Sequence, residues 1–284
     1  MIEVLSAGLY STIQDRGRFG YRNIGVPTSG AMDRYSARLA NALLNNHEDS
    51  AVMEMTYNGS ILKFNKDTFV AIAGAYCPIR LNEEVVKLNS VMAINRGSIL
   101  KIGRISNGVR TYMAVAGGFD CPRVLQSRSF YQGITQVSQI QKGDRLNVMD
   151  QGVLIINRSS IKTDNGHFNN NKIEVSNGPE FKMLDEKVKR NLFVQAFKIS
   201  PQSNRMAYKL DVDNYLKRAF RAKEIITSSV QAGTVQFTPS GELIVLMRDC
   251  QTTGGYARVL QLTDNSINRL SQKAPGELIH LVSV

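Results

Sequence analysis

MEMTYNGSILKF, residues 53–64, sets two largely apolar runs on either side of Asn58-Gly59. A type I′ turn needs positive φ at both central positions, and an Asn-Gly pair meets that demand. The stretch predicts a β-hairpin, 53–57 against 60–64, and with it a chain built mainly of strands. The same texture continues outward in both directions. Residues 69–73, 91–94, 100–105, 110–116, 146–149, 153–156, 243–247 and 258–262 are short β-branched or alternating runs punctuated by Gly, Asn, Asp and Pro. Two helices interrupt them. Asp33 is placed to cap a helix over 34–45, with Leu39, Ala40, Leu43 and Leu44 turned inward and Asn45 or Asn46 ending it. Gly178-Pro179-Glu180 opens the second, along which Phe181, Leu184, Val188 and Leu192 follow helical spacing.

Between these regions, residues 159–171 are polar and rich in Asn, with no periodicity, and read as a linker. The predicted organisation is two mainly β domains, 1–160 and 161–284. At 284 residues with 43% hydrophobic content, there is enough apolar material for two packed interiors.

Lys plus Arg outnumber Asp plus Glu by 35 to 24, a net charge of +11 that is shared almost evenly by the two halves. An evenly spread positive charge, with 7% aromatic residues and no Trp, fits small anions or an acidic partner surface. It does not fit a nucleic-acid groove, which wants stacking platforms. No signal peptide and no membrane-length apolar run is recognisable, and the three cysteines are isolated. The expectation is a cytoplasmic protein with free thiols and no membrane partner. Three scattered histidines and no Cys-x-x-Cys leave little to build a metal site from, and none is predicted.

Chemistry concentrates in two loops. In residues 12–22, Asp15, Gly17, Arg18, Gly20 and Arg22 set glycines and arginines around a carboxylate. Glycines let backbone N–H groups turn toward an anion, and guanidinium forks hold carboxylate or phosphate. Ser29-Gly30 then leads into the first helix, whose free N–H groups add to the same cradle. The bland alternative is a tight turn with solvated arginines and an ordinary Asp cap. In residues 249–256, Gln251, Thr252, Thr253, Gly254 and Gly255 follow an apolar run, where amide and hydroxyl groups can take a substrate amide or a phosphate. Asp249 can help place a metal ion or a proton there, or the segment can be a hydrogen-bonded turn. Cys250 has no base beside it and reads as a passive thiol. Two weaker groupings are Gly117-Gly118 followed by Arg123, Ser127, Arg128 and Ser129, and residues 202–205. The basic run Lys217, Arg218, Arg221 and Lys223 reads as a solvated face.

The segments STIQDRGRFGYRNIGVPTSGAMD (11–33), ANALLNN (40–46), VAIAGA (70–75), YMAVAGGFDCP (112–122), SNGPE (176–180), SPQSNRM (200–206) and DCQTTGGYARVLQL (249–262), in this order and spacing, resemble the allophanate hydrolase subunit 2 family. This KipA-like family is related to biotin-dependent carboxyltransferases. The resemblance implies two cyclophilin-like β-barrel domains and a heteromeric enzyme. In that enzyme, a 5-oxoprolinase, a chain of this kind works with two other subunits, B (KipI-like) and A, hydrolysing 5-oxoproline to glutamate with ATP and Mg2+. It equally admits a KipA-like regulator that binds a KipI-like kinase inhibitor, or a carboxyltransferase component that uses biotin and a urea-like substrate.

Under the first of these, Asp15, Arg18, Gln251 and Thr253 are the expected catalytic residues, and Gly17, Gly20, Arg22, Ser29, Thr252, Gly254 and Gly255 the expected cofactor-binding ones. The two loops are expected to face one cleft, with Arg18 on a carboxylate or phosphate and Asp15 orienting it. Four departures from the family pattern stand out: Cys250 in place of Arg, Asn204 of Asp, Ala207 of Gly, and Gln126 of a Gly.

Overall fold

The computed structural model describes residues 1–150, 160–161, 166–212 and 225–284. The predicted strand 153–156, much of the predicted linker and the basic run from Lys217 to Lys223 lie outside them. The fold is mainly β and divides into two compact units. The first is Met1–Arg18 with Ser29–Phe168; the second is Phe19–Thr28 with Asn169–Val284.

The first unit carries β1 (Ile2–Ser6), β2 (Tyr10–Gln14), β3 (Val52–Thr56), β4 (Ile61–Phe64), β5 (Thr68–Tyr76), β6 (Ile79–Leu81), β7 (Glu84–Val86), β8 (Val91–Ile94), β9 (Ile99–Ile102), β10 (Asn107–Val115) and β11 (Arg145–Leu146). They form two sheets, ordered β11-β1-β4-β9-β6-β7 and β2-β3-β10-β5-β8. Ile2, Val4, Leu62, Phe64 and Leu100 from the first sheet share one core with Ile13, Met53, Met55, Val70, Ile72 and Met113 from the second. The second sheet is apolar on its other face too. There Ala71, Ala73, Tyr112 and Ala114 meet α1 (Arg34–Leu43) through Ala37, Ala40 and Leu43. That double burial is why β5, and β10 from Tyr112 to Val115, read as unbroken apolar runs rather than as alternation.

The predicted hairpin is corrected. β3 pairs with β2 and β10, β4 pairs with β1 and β9, and the Asn58-Gly59 link carries the chain from one sheet to the other. The residue with positive φ is Tyr57, at 62°, and Asn58 bridges to Arg104 across the corner. Gly59 is demanded by packing, because a Cβ there would lie 2.3 Å from Ile102 Cγ2. Asn-Gly thus serves a corner between two sheets, and the apolar periodicity that flanks it is the same for either use.

Helix α1 is capped as expected: Asp33 Oδ1 accepts from Ser36 N at 3.2 Å, and Asn45 follows the helix with φ 54°. Its asparagines also do work that periodicity hides. Asn41 Nδ2 donates to Ser50 O at 2.9 Å, while Asn46 donates to Val115 O and accepts from Gly117 N, both at 2.9 Å. Helix α2 (Gly166–Asn169) is a single turn, with Phe168 joining the first unit's core.

In the second unit, β12 (Lys172–Asn177), β13 (Ala196–Ile199), β14 (Ala207–Asp211), β16 (Thr234–Phe237), β17 (Leu243–Leu246), β19 (Ala257–Leu262) and β20 (Leu278–Ser283) close a barrel in the order β12-β19-β16-β17-β14-β13-β20. β15 (Ser228–Ser229) and β18 (Thr253–Gly254) form a separate two-stranded ribbon. Closure comes from a parallel pairing of β12 with β20, so both edges of the sheet are satisfied. Alternate residues fill the inside: Ile173 and Val175, Phe197 and Ile199, Ile279 and Leu281 are all buried.

The second predicted helix is broken. A 3-10 turn at Phe181–Met183 stops where Leu184 and Asp185 turn extended, and α3 (Glu186–Val194) starts afresh after Asp185. Val188 and Leu192 face inward as expected. Among the described residues there are four helices where two were expected. The fourth, α4 (Asp264–Leu270), is capped by Thr263 Oγ1 accepting from Ser266 N at 3.2 Å.

Candidate functional site

The acidic residue of the first loop is a hub. Asp15 accepts from Gly17 N at 2.8 Å, Ser127 Oγ at 2.7 Å, Ser129 Oγ at 2.6 Å and Arg128 N at 2.6 Å. Four donors on one carboxylate pin residues 127–129 to the 15–17 turn, and Gly17 makes that turn at φ 111°. The serines and Arg128 of the weaker sequence grouping therefore belong to this loop. Arg18 is fully buried, its Nε donating to Val124 O at 3.2 Å and its guanidinium also to Ser129 O. Arg18 was expected on a bound carboxylate; the structure puts these bonds on the carbonyls of the same loop, which it braces from inside.

Downstream, Gly30 has φ 92°, and a Cβ there would lie 2.7 Å from Arg16 O. Its neighbour Ser29, at φ 56°, is completely buried, and its Oγ has no hydrogen-bond partner among the described residues. Beneath this turn lies a polar cluster that apolar patterning gave no reason to group. Met32 N donates to Glu54 Oε2 and Asp33 N to Tyr112 Oη, both at 2.8 Å, while Arg110 stands 3.8 Å from Glu54. Burial first, then the carboxylates of Glu54 and Asp33, push the Tyr112 phenol well above its ordinary range, so it stays a neutral hydroxyl. The sequence signal was there in the charges of MEMT and VRTYMAV, both runs otherwise apolar.

Residues 19–28 belong to the second unit, and there the two motifs meet. Arg22 donates to Val230 O and, at 3.5 Å, to Thr252 O, and Val230 N also donates to Thr252 O at 3.1 Å. Beyond that contact Gln251 and Thr253 are exposed, and no hydrogen bond engages either side chain among the described residues. Thr253 lies on β18, paired with Ser229. A Cβ at Gly254 would fall 2.7 Å from the buried Gln236 Nε2, so a larger residue there would have to displace that amide, which itself donates to Tyr256 O at 3.5 Å. Gly255 O accepts from Ile225 N at 3.2 Å, and Gly20, at φ 89°, has open space where a Cβ would stand.

Asp249 is held by Arg205 through two bonds, Nε to Oδ2 at 2.7 Å and a terminal nitrogen to Oδ1 at 3.1 Å, with both residues buried. The pair ties the 200–206 motif to the 249–262 motif under the Gln251 loop. This engagement corrects the idea of Asp249 as a free acid for a metal or a proton. Among the described residues, no cluster of three or more His, Cys, Asp or Glu could hold a metal ion.

Cys250 is buried, and that burial, only partly offset by Arg22, raises its thiol to about 11; burial does the same for Cys77. Both thiols are protonated at neutral pH. Iodoacetamide at pH 7.5 is expected to modify neither in the folded protein and both after denaturation, as mass spectrometry of the peptides would show. Rapid native labelling of Cys250 would contradict the passive reading.

One unit is built of two stacked sheets and the other is a closed barrel, whose Thr-Thr-Gly-Gly loop is tied by Arg22. Residues 24–283 match the model for the carboxyltransferase domain, subdomains A and B, and the chain belongs to that family. It is 33% identical to the C subunit of 5-oxoprolinase from Escherichia coli strain K12 over 286 aligned positions, covering 99% of this chain and 91% of that one. The crystal structure of TTHA0988 superimposes with a TM-score of 0.88 at 27% identity; it covers 99% of this chain, which spans 55% of that one, about half its length. The Kluyveromyces lactis urea amidolyase structure gives a TM-score of 0.87 at 27% identity, with 100% of this chain on 18% of that one. Among the described residues no helix is long and apolar enough to cross a membrane.

Proposed function

We propose that this chain is one component of an ATP-dependent 5-oxoprolinase, acting with the KipI-like B and the A subunits to open the lactam 5-oxoproline to glutamate. The supporting observation is collinearity with the E. coli C subunit over nearly the full length of both chains. A lactam amide is a poor electrophile, and phosphorylating its oxygen turns that oxygen into a leaving group. Water then adds at the carbonyl carbon, the ring C–N bond breaks as the nitrogen takes up a proton, and the resulting carboxyl phosphate is hydrolysed by a second water to glutamate and phosphate. Such a reaction is mainly positioning and charge stabilisation.

In this reading Gln251 and Thr253, exposed and uncommitted, contact the amide or the phosphoryl group. Arg22, committed to the Val230 and Thr252 carbonyls, holds their loop in place. Gly255 lets a ligand approach the backbone, Gly254 lets the loop lie against Gln236, and Mg2+ arrives with the nucleotide.

The test is to co-express the chain with the KipI-like B and the A subunits and to assay 5-oxoproline-dependent ATP hydrolysis. Gln251→Ala is expected to lower turnover at least about 10-fold, the equivalent of one lost hydrogen bond to a charged group, while leaving the thermal midpoint unchanged. An assembled, folded complex with no lactam-dependent ATP hydrolysis would overturn the proposal. A second reading, carboxyl transfer from biotin to a urea-like substrate, is favoured by the full-length superposition on the urea amidolyase structure. In that case turnover appears only with a biotin carboxylase partner and a urea-like substrate.

A further inference from the structure

A cleft of about 380 Å³ lies in the first unit, within the size range of small-ligand pockets. Much of its lining is apolar. Val124, Phe130 and Leu146 are half-buried there, and Pro122 and Val137 are exposed. The walls are braced by the chain itself. Thr135 Oγ1 accepts from Tyr131 N at 2.8 Å and donates to Val137 O at 2.7 Å, Val124 O accepts from Arg18 Nε at 3.2 Å, and Phe130 O accepts from Gln14 Nε2 at 3.3 Å. The polar residues of the lining divide into two groups. Both acids are engaged: Asp120 stands 3.6 Å from Arg128, and Asp144 Oδ2 accepts from Gln141 N at 2.8 Å. Gln136, Arg145 and Asn147 are exposed, and no hydrogen bond or ion pair engages any of these three side chains among the described residues. Glu3 is opposite Arg145 in the pairing of β1 with β11, and the two make no ion pair.

Apolar walls favour a ligand with an apolar body. Solvent-reachable groups that are still uncommitted, one guanidinium and two amides, favour an acceptor at its other end, and a carboxylate answers a guanidinium best. We infer that this cleft binds a monocarboxylate with an apolar body, the body against Val124, Phe130, Val137 and Leu146 and the carboxylate on Arg145. The inference stands apart from the proposed function, since 5-oxoproline is small and polar and offers little to these walls. An occupant also bears on the first loop, because Gln14 and Arg18, which hold two of the walls, flank its hub Asp15.

Titration calorimetry on the purified chain tests this without any activity assay, using hydrocinnamate, hydrocinnamyl alcohol, acetate and 5-oxoproline as probes. Hydrocinnamate is expected to bind. The alcohol should be at least about tenfold weaker for want of the carboxylate, and acetate and 5-oxoproline weaker still for want of the apolar body. Arg145→Gln should bring the acid down to the level of the alcohol, and Val137→Asp should weaken both. Unchanged thermal midpoints establish that the two variants, at exposed positions, are folded. Cys121 lines the same cleft and locates the ligand: its half-buried thiol, raised to about 11 chiefly by burial, should react more slowly with N-ethylmaleimide in alkaline buffer when hydrocinnamate is saturating. Absence of hydrocinnamate binding at millimolar concentration, or equal affinity for the acid and the alcohol, would overturn the inference. So would binding that leaves Cys121 labelling unchanged and ignores Val137→Asp, because the ligand would then lie elsewhere.

Discussion

Asp249→Ala is expected to destabilise the barrel unit by about 3–5 kcal/mol, the cost of leaving one member of a buried ion pair uncompensated. Arg205 would then be buried with neither of its two bonds to the carboxylate, at a point where two loops are joined. The double variant Arg205→Met with Asp249→Leu removes both charges and should recover much of the loss, because most of the penalty is the stranded charge rather than the missing attraction. Urea denaturation of the three proteins measures this. An Asp249→Ala chain as stable as the parent would show that the pair does not hold the two loops together.

The second large effect is at Arg18. Its truncation to Ala deletes a fully buried side chain and strands the carbonyls of Val124 and Ser129, a loss of about 3–5 kcal/mol from the combined cavity and hydrogen-bond terms. Activity of an assembled complex would fall with it, but by way of the thermal midpoint. Gln251→Ala, on an exposed loop, should show the opposite pattern of lost turnover at unchanged stability. Measuring both quantities on both variants separates a bracing residue from one that touches substrate. An Arg18→Ala chain with an unaltered midpoint and reduced turnover would return Arg18 to the role of anion ligand.

The contrast between these two residues shows what could be read in the sequence. Glycines and arginines around Asp15 mark a tight, donor-rich turn but not its use, because the residue types that make such a turn are the same whether its donors face a ligand or the chain itself. Which way Arg18 points is decided by Val124 and Ser129, more than a hundred positions away, and no local pattern carries that. The strands were legible for the same reason that the hairpin was not. Apolar alternation reports that a run has one buried face, but β3 and β4 satisfy it in two different sheets. Helix α1 was plain because cap, stripe and stop agree at Asp33, Ala40 and Asn45. Helix α4 offered only Thr263, Ile267 and Leu270 around a seven-residue span, too short for a period to emerge. The charges of Glu54 on β3 and Arg110 on β10 could be seen in the sequence, but not that they and Tyr112 form one group, because only the pairing of β3 with β10 brings the two strands together.

The parallel pairing of β12 with β20 has a consequence for the order of events during synthesis. A ribosome adds roughly 5–20 residues per second, so the stretch from Arg22 to Thr252 occupies on the order of 10–50 s. Throughout that interval the Phe19–Thr28 segment exists without the Val230 and Thr252 carbonyls that hold it, and β12, from its own synthesis until that of β20, exists without the strand that seals its edge. The barrel becomes possible only once Ser283 has left the exit tunnel. Until then a nascent chain presents an open sheet edge and an apolar interior, the state in which chaperone capture or premature pairing with another chain competes with folding.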